Sequence, residues 1–310
     1  MAAAQESPAG PLPARLFQPD DSAEDLAHKQ VLHDVVTLSA PPARAAQQLD
    51  EWVSGDANRK YAALRDRGFT LAADESAYLV APNASRSMDM LAETVARLCS
   101  AYPPGHPAQD ALVHLLQQLK DLPRHDVPDL RYDDANQLQL DQPRQIWLLG
   151  TPETRFLAQR FLRAAQDLAY PFSDVEDLGS ETQLRWRNLQ SFVARITTQD
   201  LIDCSDSTAL LHILPRSHTY PDLEQRKMGG PRRLAADVEA AAQWLLPDPS
   251  RRWVRQQCRE GNSSGGVWTE PNWRRWKEQF SLFAGDQRLP EATRSLAASL
   301  RHKMDAEDGA

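Results

Sequence analysis

The chain has 310 residues, a formal net charge of −8 and a pI near 5.5. Hydrophobic residues make up 41% of the chain, which is enough for a hydrophobic core. Charged residues make up 25%, the usual share in a water-soluble protein. The acidic balance argues against a nucleic-acid-binding protein, and no run approaches the ~20 apolar residues that a membrane span needs.

Residues 1–20 are rich in proline, alanine and glycine and predict a disordered N-terminal tail. The tail has neither the basic start and apolar run of a secretory signal nor the arginine-rich pattern of a mitochondrial one. Residues 21–310 predict a single helical domain. Its first helix begins at a capping box of Ser22 and Asp25, after which apolar residues follow at helical spacing.

Prolines and glycines mark the ends of the next helices. Pro42 predicts the start of a second helix that ends at Gly55, and a short helix over 59–67 follows it. Apolar residues three and four apart predict a helix over 88–98, and Pro107 begins another with a face of leucines.

The middle of the chain is less regular. Residues 121–144 are polar and proline-rich, so they predict a long loop and a soft boundary within the domain. The apolar run 146–149 before Gly150 is typical of either a buried strand or a helical segment. A strand, a glycine and a helix would suggest a nucleotide-binding sheet, but such a sheet needs several alternations and the chain offers one. We therefore disfavour the strand.

The second half of the chain carries the remaining predicted helices. One follows Gly150, a capping box at Ser180 begins another, and a shorter apolar helix covers 207–214. Further helices are predicted at 234–245, 249–258 and 273–283 and after Pro290. The total is about eleven helices. The predicted fold class is all-α, an irregular multi-helix bundle with no sizeable sheet and no internal repeat.

The sequence contains one literal match to a catalytic motif. Residues Gly261 to Gly265 match G-x-S-x-G, the pattern of a nucleophile elbow, for which Asp286 and His302 would be the downstream acid and base. An elbow needs a strand before its serine, whereas a helix precedes this one. We therefore favour a linker, and His302 falls in a segment that we expect to fray.

Metal and cofactor signatures are missing from the sequence. The eight histidines form no HExxH pair, and the acidic clusters 133–134 and 174–177 fall in predicted loops. There is no P-loop, no GxGxxG and no Cys–His signature. The odd count of three cysteines, Cys99, Cys204 and Cys258, indicates reduced thiols. We predict no metal and no cofactor in a cytoplasmic protein, with the nucleus as the alternative compartment.

An aromatic stripe near the C-terminus is the most distinctive pattern. Trp273, Trp276, Phe280 and Phe283 recur at i, i+3, i+7 and i+10, which places four large apolar side chains on one face of a helix. The stripe, with the other tryptophans, predicts either helical core packing, which we favour, or a ligand pocket. The candidate residues for this pocket or core are Trp186, Trp244, Trp253, Trp268, Trp273, Trp276 and Phe280.

The same segment resembles a known family. The stretch Trp-Arg-Arg-Trp-Lys-Glu-Gln-Phe at 273–280 and the later Leu-Pro-Glu-Ala-Thr-Arg at 289–294 resemble the C-terminal signature of a fungal family of unknown function. Blocks that begin at Trp186 and at His106 are similar to two other parts of that family. The resemblance implies a soluble, intracellular, all-helical protein, and it brings no catalytic residues.

Two functions follow as expectations. The first is a helical protein that binds a small molecule or a protein partner without chemistry. The second is a cofactor-independent enzyme, a cyclase, isomerase or similar tailoring enzyme of fungal secondary metabolism, since positioning alone supplies much catalysis. A closed pocket above ~300 Å³, lined by tryptophan with convergent Arg, His or Asp, would favour the enzyme.

Overall fold

The protein is mainly helical, as predicted. The structure, a computed structural model, describes residues 10–152, 155–166, 169, 179–214, 230–261 and 266–309. Within these residues the helices are α1 (Ala23–Val36), α2 (Pro42–Asp66), α3 (Ala77–Val80), α4 (Ala84–Ala101), α5 (Pro107–Asp121), α6 (Arg155–Gln166), α7 (Glu181–Thr198), α8 (Gly230–Leu245), α9 (Asp248–Glu260), α10 (Glu270–Gly285) and α11 (Glu291–Asp308). Strands β1 (Asp126–Tyr132) and β2 (Leu138–Gln145) form one antiparallel hairpin. No described helix combines the length and apolar character that crossing a membrane requires.

The predicted helix starts follow the capping residues. Ser22 accepts a hydrogen bond from the backbone N–H of Asp25, whose carboxylate accepts one from the N–H of Ser22 in return. Ser180 caps α7 in the same way, while the Gln183 side chain reaches past the cap to the N–H of Gly179. Caps of this kind satisfy N–H groups that the helix itself leaves without partners.

Helix α2 does not end at Gly55, so the predicted break between two shorter helices is wrong. It runs without interruption from Pro42 to Asp66. An exposed glycine within a helix costs only about 1 kcal/mol, which nearby packing offsets. Val53 and Ala57 are buried on either side of it.

Residues 121–144 are not one long loop, because most of them form the β1–β2 hairpin. Val127 and Leu130 of β1 are buried. Pro128 lies opposite Pro143 in the register. Prolines discourage a strand assignment because they cannot donate to the ladder. The two prolines lie opposite each other, which suits a non-hydrogen-bonded pair of the antiparallel ladder, where neither residue donates an N–H to the other strand.

The apolar run 146–149 is neither a strand nor a helix. It passes into the core as an irregular turn in which Trp147 has φ 56° and Gly150 has φ 77°. Ile146, Trp147 and Leu149 are buried, and the Trp147 indole N–H donates to Asp50 Oδ1 at 2.6 Å. Likewise, 207–214 holds no α-helix; a 3₁₀ turn spans Ala209–Leu211 there.

Residues 10–20 have no regular secondary structure and contact the helices. The Leu12 N–H donates to the carbonyl of Ala101 at 2.8 Å, and Leu16 is buried. The carbonyl of Pro13 accepts a hydrogen bond from Arg185, which is fully buried in α7. The rest of the predicted tail, residues 1–9, lies outside the described residues.

Candidate functional site

The aromatic residues singled out from the sequence lie in the core or against it. Trp244, Trp268, Trp273, Trp276 and Phe280 are at most 1% exposed. Trp186 is also buried, and Trp253 packs partly buried against the same core. Side chains so enclosed stabilise the fold by removing large apolar surfaces from water.

The structure packs the rings of four of these tryptophans together. The ring of Trp268 lies 5.6 Å from Trp244, 5.3 Å from Trp253 and 5.8 Å from Trp276, measured between centroids. Such distances correspond to direct ring packing. Trp273 instead donates its indole N–H to Asp308 Oδ1 at 2.9 Å.

Trp186 belongs to a different part of the molecule. Its ring stacks on His212 with centroids 5.5 Å apart. The Nδ1 atom of His212 is 3.8 Å from the buried carboxylate of Asp237, which is too long for a hydrogen bond. This cluster packs α7 against α8, so Trp186 shares no site with the tryptophans near the C-terminus.

A cleft of about 470 Å³ opens elsewhere on the surface, and none of the seven aromatic candidates lines it. We call it the arginine cleft; its lining residues are Ser85 and Asp89 of α4, Arg144 of β2, and Gln159, Arg160 and Arg163 of α6. A volume of this order falls in the range of small-molecule sites.

Helix packing explains why these side chains meet. Helices α4 and α6 pack along each other. Met88 and Leu91 of α4 and Leu157 and Phe161 of α6 are buried in the core. Polar positions next to these apolar stripes lie at the edge of the interface, where Arg160 and the other polar residues of α6 face those of α4.

Beneath the polar edge the interface is nearly solid. The apolar void between α4, α5 and α6 has a volume of only about 20 Å³. That is space for about one water molecule, and an apolar wall gives a water no partners. A ligand therefore has room in the arginine cleft and none in the core below it.

The ion pair between Asp89 and Arg160 in the arginine cleft is long. Asp89 Oδ2 is 3.4 Å from Nε of Arg160, and Arg144 is 3.9 Å from Asp129 on β1. Strong charge-assisted hydrogen bonds are shorter, about 2.7–2.9 Å. Burial raises the pKa of Asp89, and Arg160 opposes that rise. Arg163 makes no ion pair with any residue that the structure describes.

Two oxygen atoms on the α4 wall lack hydrogen bonds. Ser85 Oγ and Asp89 Oδ1 are enclosed and have no partner among the described residues. Unsatisfied polar atoms are uncommon in folded proteins and often mark functional sites. The two residues lie one helical turn apart, so they present their polar groups on the same side of α4.

The other chemical candidates that fall among the described residues do not come together in a site. Among the described residues, no group of three or more His, Cys, Asp or Glu side chains is placed to hold a metal ion. Asp286 pairs with Arg288 at 2.8 Å, and His302 lies on α11, which is helical as far as Asp308 rather than frayed. The serine motif at 262–265 and the acidic cluster 174–177 lie outside the described residues.

The arginine cleft is not predictable from the sequence. The weak indication was Arg160 and Arg163, two basic residues three apart on a predicted helix. Nothing in the pattern joined them to Ser85, Asp89 or Arg144, because the three segments meet only in the tertiary structure.

Comparison with known proteins gives one match. Residues 90–280 match the model of a family described as a protein of unknown function, DUF3632. No curated protein and no solved structure matches the chain. The matched region includes α6 and the hairpin, and it agrees with the expected resemblance to a family of unknown function. Since the match covers more than half of the chain, the protein belongs to the DUF3632 family.

Proposed function

We propose that the protein binds a small anionic molecule in the arginine cleft. The observation that carries this proposal is the convergence of Arg144, Arg160 and Arg163 on one cleft of about 470 Å³. Guanidinium groups are always charged, and their planar donor sets match carboxylate and phosphate oxygens. The sequence analysis leads us to expect that a small molecule or a protein partner binds. The present proposal specifies a small molecule, its binding site and the sign of its charge.

The electrostatics of the cleft support an anion over a neutral ligand. Asp89 is the single carboxylate among the described residues that line the cleft, and Arg160 and Arg163 supply two positive charges from α6. The whole chain carries a net charge of −8. A locally positive cleft on an acidic protein concentrates small anions at that cleft, because the remaining surface repels them.

Calorimetric titration with inorganic phosphate at low ionic strength tests the proposal. We expect the double variant Arg160→Ala/Arg163→Ala to bind phosphate at least about tenfold more weakly, since each lost charged hydrogen bond is worth about 1.5–3 kcal/mol. Binding should also weaken as salt is added.

A matched double variant controls for the loss of positive charge. Arg274 and Arg275 of α10 are exposed and lie outside the cleft. Arg274→Ala/Arg275→Ala should bind phosphate as the native protein does. If both double variants lost the same affinity for phosphate, the effect would come from the overall charge and not from the cleft. An absence of phosphate binding to the native protein would refute the proposal.

A cofactor-independent enzyme is the second candidate, and Asp89 is the observation that favours it. Burial raises the pKa of this carboxyl inside a cleft of the size of a ligand. An acid with a raised pKa beside arginines suits general acid–base catalysis on an anionic substrate, as an isomerase or cyclase requires.

The two candidates separate by turnover. An enzyme would convert a ligand that the native protein binds, and NMR of the mixture would follow the product. Asp89→Asn would then abolish conversion and keep binding. A ligand that stays unchanged with the native protein over days would favour the binding function.

The cellular setting rests on the sequence alone. We propose a cytoplasmic protein, with the nucleus as the alternative, and a fungal origin. Microscopy of the tagged chain in fungal cells would test the compartment. Fluorescence confined to a membrane-bound organelle other than the nucleus would contradict the proposal.

A further inference from the structure

Residues 11–17, which we call the N-terminal strap, lie across the end of α4 and the start of α7. Burial alternates along the strap: Leu12 and Ala14 are half-buried, Leu16 is buried, and the residues between them are exposed. Alternation with a period of two is typical of a segment that directs every second side chain towards a surface. Ala14 and Leu16 pack in the hydrophobic core. The two helices therefore present a surface that fits a peptide segment.

Two groups on the helices bind the main chain of the strap. The carbonyl of Ala101 accepts the N–H of Leu12 at 2.8 Å, and the guanidinium of Arg185 donates to the carbonyl of Pro13. The Arg185 side chain is fully buried, and its Nη1 also donates to Ser100 Oγ at 3.1 Å. Contacts to the main chain supply affinity for a peptide of any sequence, while the contacts of alternate side chains supply specificity.

Glu181 adds a preference for a basic side chain. Its carboxylate accepts a hydrogen bond from Nε of Arg185 at 2.8 Å and another from Arg15 of the strap at 2.9 Å. The side chain of Arg15 is 51% exposed, so this ion pair selects for charge and adds little affinity. A segment with a basic residue directly before its buried leucine therefore matches the charge of this surface.

Two features make the strap replaceable. Among the described residues, a single backbone–backbone hydrogen bond, from Leu12 to Ala101, joins it to the helices. Arg15 has φ 49°, in the left-handed region that is unfavourable for a residue with a side chain. The chain then turns, with the N–H of Asp21 donating to the carbonyl of Gln18, and enters α1. A segment of another protein does not have to enter α1, so it can occupy the surface without this strain.

We propose that this surface is a binding site for a partner protein, and that the N-terminal strap occupies it until a segment of the partner displaces the strap. The partner segment carries apolar side chains at alternate positions and a basic residue before the last of them, as Leu12, Ala14, Arg15 and Leu16 do in the strap. The site does not depend on the proposed anion binding. It uses the last residues of α4, whereas the arginine cleft uses the first two turns of that helix.

Fluorescence anisotropy of a labelled peptide of residues 10–18, titrated with the whole chain, tests the proposal. In the native protein the tethered strap competes at an effective concentration on the order of millimolar, so a micromolar peptide should bind weakly. Leu16→Asp in the chain places a charge at a buried position and should release the strap. We expect this variant to bind the peptide at least about tenfold more tightly than the native protein does.

Phe17→Asp is the matched control variant. Phe17 is exposed, so the same charge at this position should leave the strap in place and peptide binding as weak as in the native protein. A peptide that itself carries Leu16→Asp should bind the released variant at least about tenfold more weakly, the effect of losing one buried leucine. If the Leu16→Asp chain is folded by circular dichroism and binds neither peptide, or binds both equally, the proposal is wrong.

Hydrogen exchange in the native protein tests release of the strap without a variant. If the strap opens separately, the N–H of Leu12 should exchange at least about tenfold faster than the buried amides of α4 and α7. Exchange of this N–H only together with global unfolding would overturn the proposal. Light scattering addresses a second copy of the chain as the occupant: a native dimer that Leu16→Asp dissociates would assign the surface to that copy and rule out a different partner.

Discussion

At Gly150 the backbone and its neighbours leave no room for a side chain. The residue has φ +77°, and its N–H donates to the carbonyl of Leu201 at 2.8 Å. A Cβ at this position would lie 2.4 Å from the carbonyl oxygen of Asp200 and 2.7 Å from Nζ of Lys120. The contacts of Gly150 with Asp200 and Leu201 join the irregular turn after β2 to the segment after α7, so the glycine permits a close approach of distant parts of the chain.

Substitutions at Gly150 and at Gly68 together distinguish the cost of steric overlap from the cost of backbone strain. Gly150→Ala should lower the free energy of unfolding by about 3 kcal/mol, since both effects act there. Gly68→Ala is the matched control: Gly68 has φ +66° with nothing within 4 Å of its Cβ position, so we expect a loss of about 1 kcal/mol. Urea unfolding of both variants measures the difference, and equal losses would show that the contact with Asp200 does not matter.

His28 is a buried imidazole with no hydrogen bond. It is 3% exposed, stacks on Trp52 at 4.9 Å, and neither ring nitrogen has a hydrogen-bond partner among the described residues. Burial lowers its pKa from 6.5 to about 4; Asp25 opposes this shift and Lys29 adds to it. The folded protein therefore holds His28 neutral at a pH where an unfolded chain would protonate it.

This difference makes stability fall on the acid side. Because the folded pKa is the lower one, the unfolded chain binds the proton first, and stability is lost as the pH falls from about 6.5 towards 4. At pH 5 this single group should remove about 2 kcal/mol relative to pH 7. Between pH 7 and pH 5, the free energy of unfolding of His28→Phe should therefore fall by about 2 kcal/mol less than that of the native protein. Urea unfolding at both pH values measures this difference. The exposed His302→Phe is the control; an unchanged pH dependence in His28→Phe would contradict the assignment.

At the scale of elements, the end of α11 is held by neighbouring helices. Its last turn carries Asp305, Glu307 and Asp308, and negative charge at a helix C-terminus is unfavourable. Cations from α9 and α10 offset it through the pairs Arg251–Glu307 at 2.9 Å, Arg255–Asp308 at 3.0 Å and Lys277–Asp305 at 2.6 Å. The sequence predicted fraying because these partners come from other elements.

Asp308 should matter more than the other carboxylates of this turn. It accepts the indole N–H of Trp273, which is fully buried. Asp308→Ala leaves that donor without a partner, so we expect thermal and urea unfolding to show a loss of about 1–3 kcal/mol. Asp305→Ala removes two ion pairs, with Lys277 and Arg301, from a carboxylate that is 44% exposed, and should cost less than about 1 kcal/mol. A larger effect of Asp305→Ala would contradict this account of the helix end.

The sequence predicted helices well wherever one apolar stripe meets the core. The stripe of Trp273, Trp276 and Phe280 on α10 is a case in which period, capping and burial agree. The hairpin was missed because opposed prolines and a polar edge strand conceal its alternation. The irregular turn at 146–149 is not predicted from the sequence, because its apolar residues are buried in the core without a regular spacing.

At the scale of the whole molecule, the candidate site could not be predicted. The arginine cleft draws Ser85, Arg144 and Arg160 from three segments that only the packing of α4, α6 and β2 brings together. Its residue types are common on protein surfaces, so none stands out in a sequence. The tryptophans did stand out, because large aromatic side chains carry much of the energy of a core.

The cysteines report on the integrity of this core. Cys99, Cys204 and Cys258 are free and buried, and burial raises the pKa of Cys258 to about 12. A thiol reagent attacks through the thiolate, so we expect no reaction in the native protein and three thiols after unfolding. Spectrophotometric titration with an aromatic disulfide would count them. Rapid labelling of a thiol without unfolding would contradict the packing described here.

The most direct test of the proposed anion site is a crystal structure of the protein grown with inorganic phosphate. We expect phosphate density in the arginine cleft, with the phosphate oxygens about 2.7–2.9 Å from the guanidinium nitrogens of Arg160 and Arg163. Phosphate density at another place, with the arginine cleft empty at a saturating phosphate concentration, would contradict the proposed site.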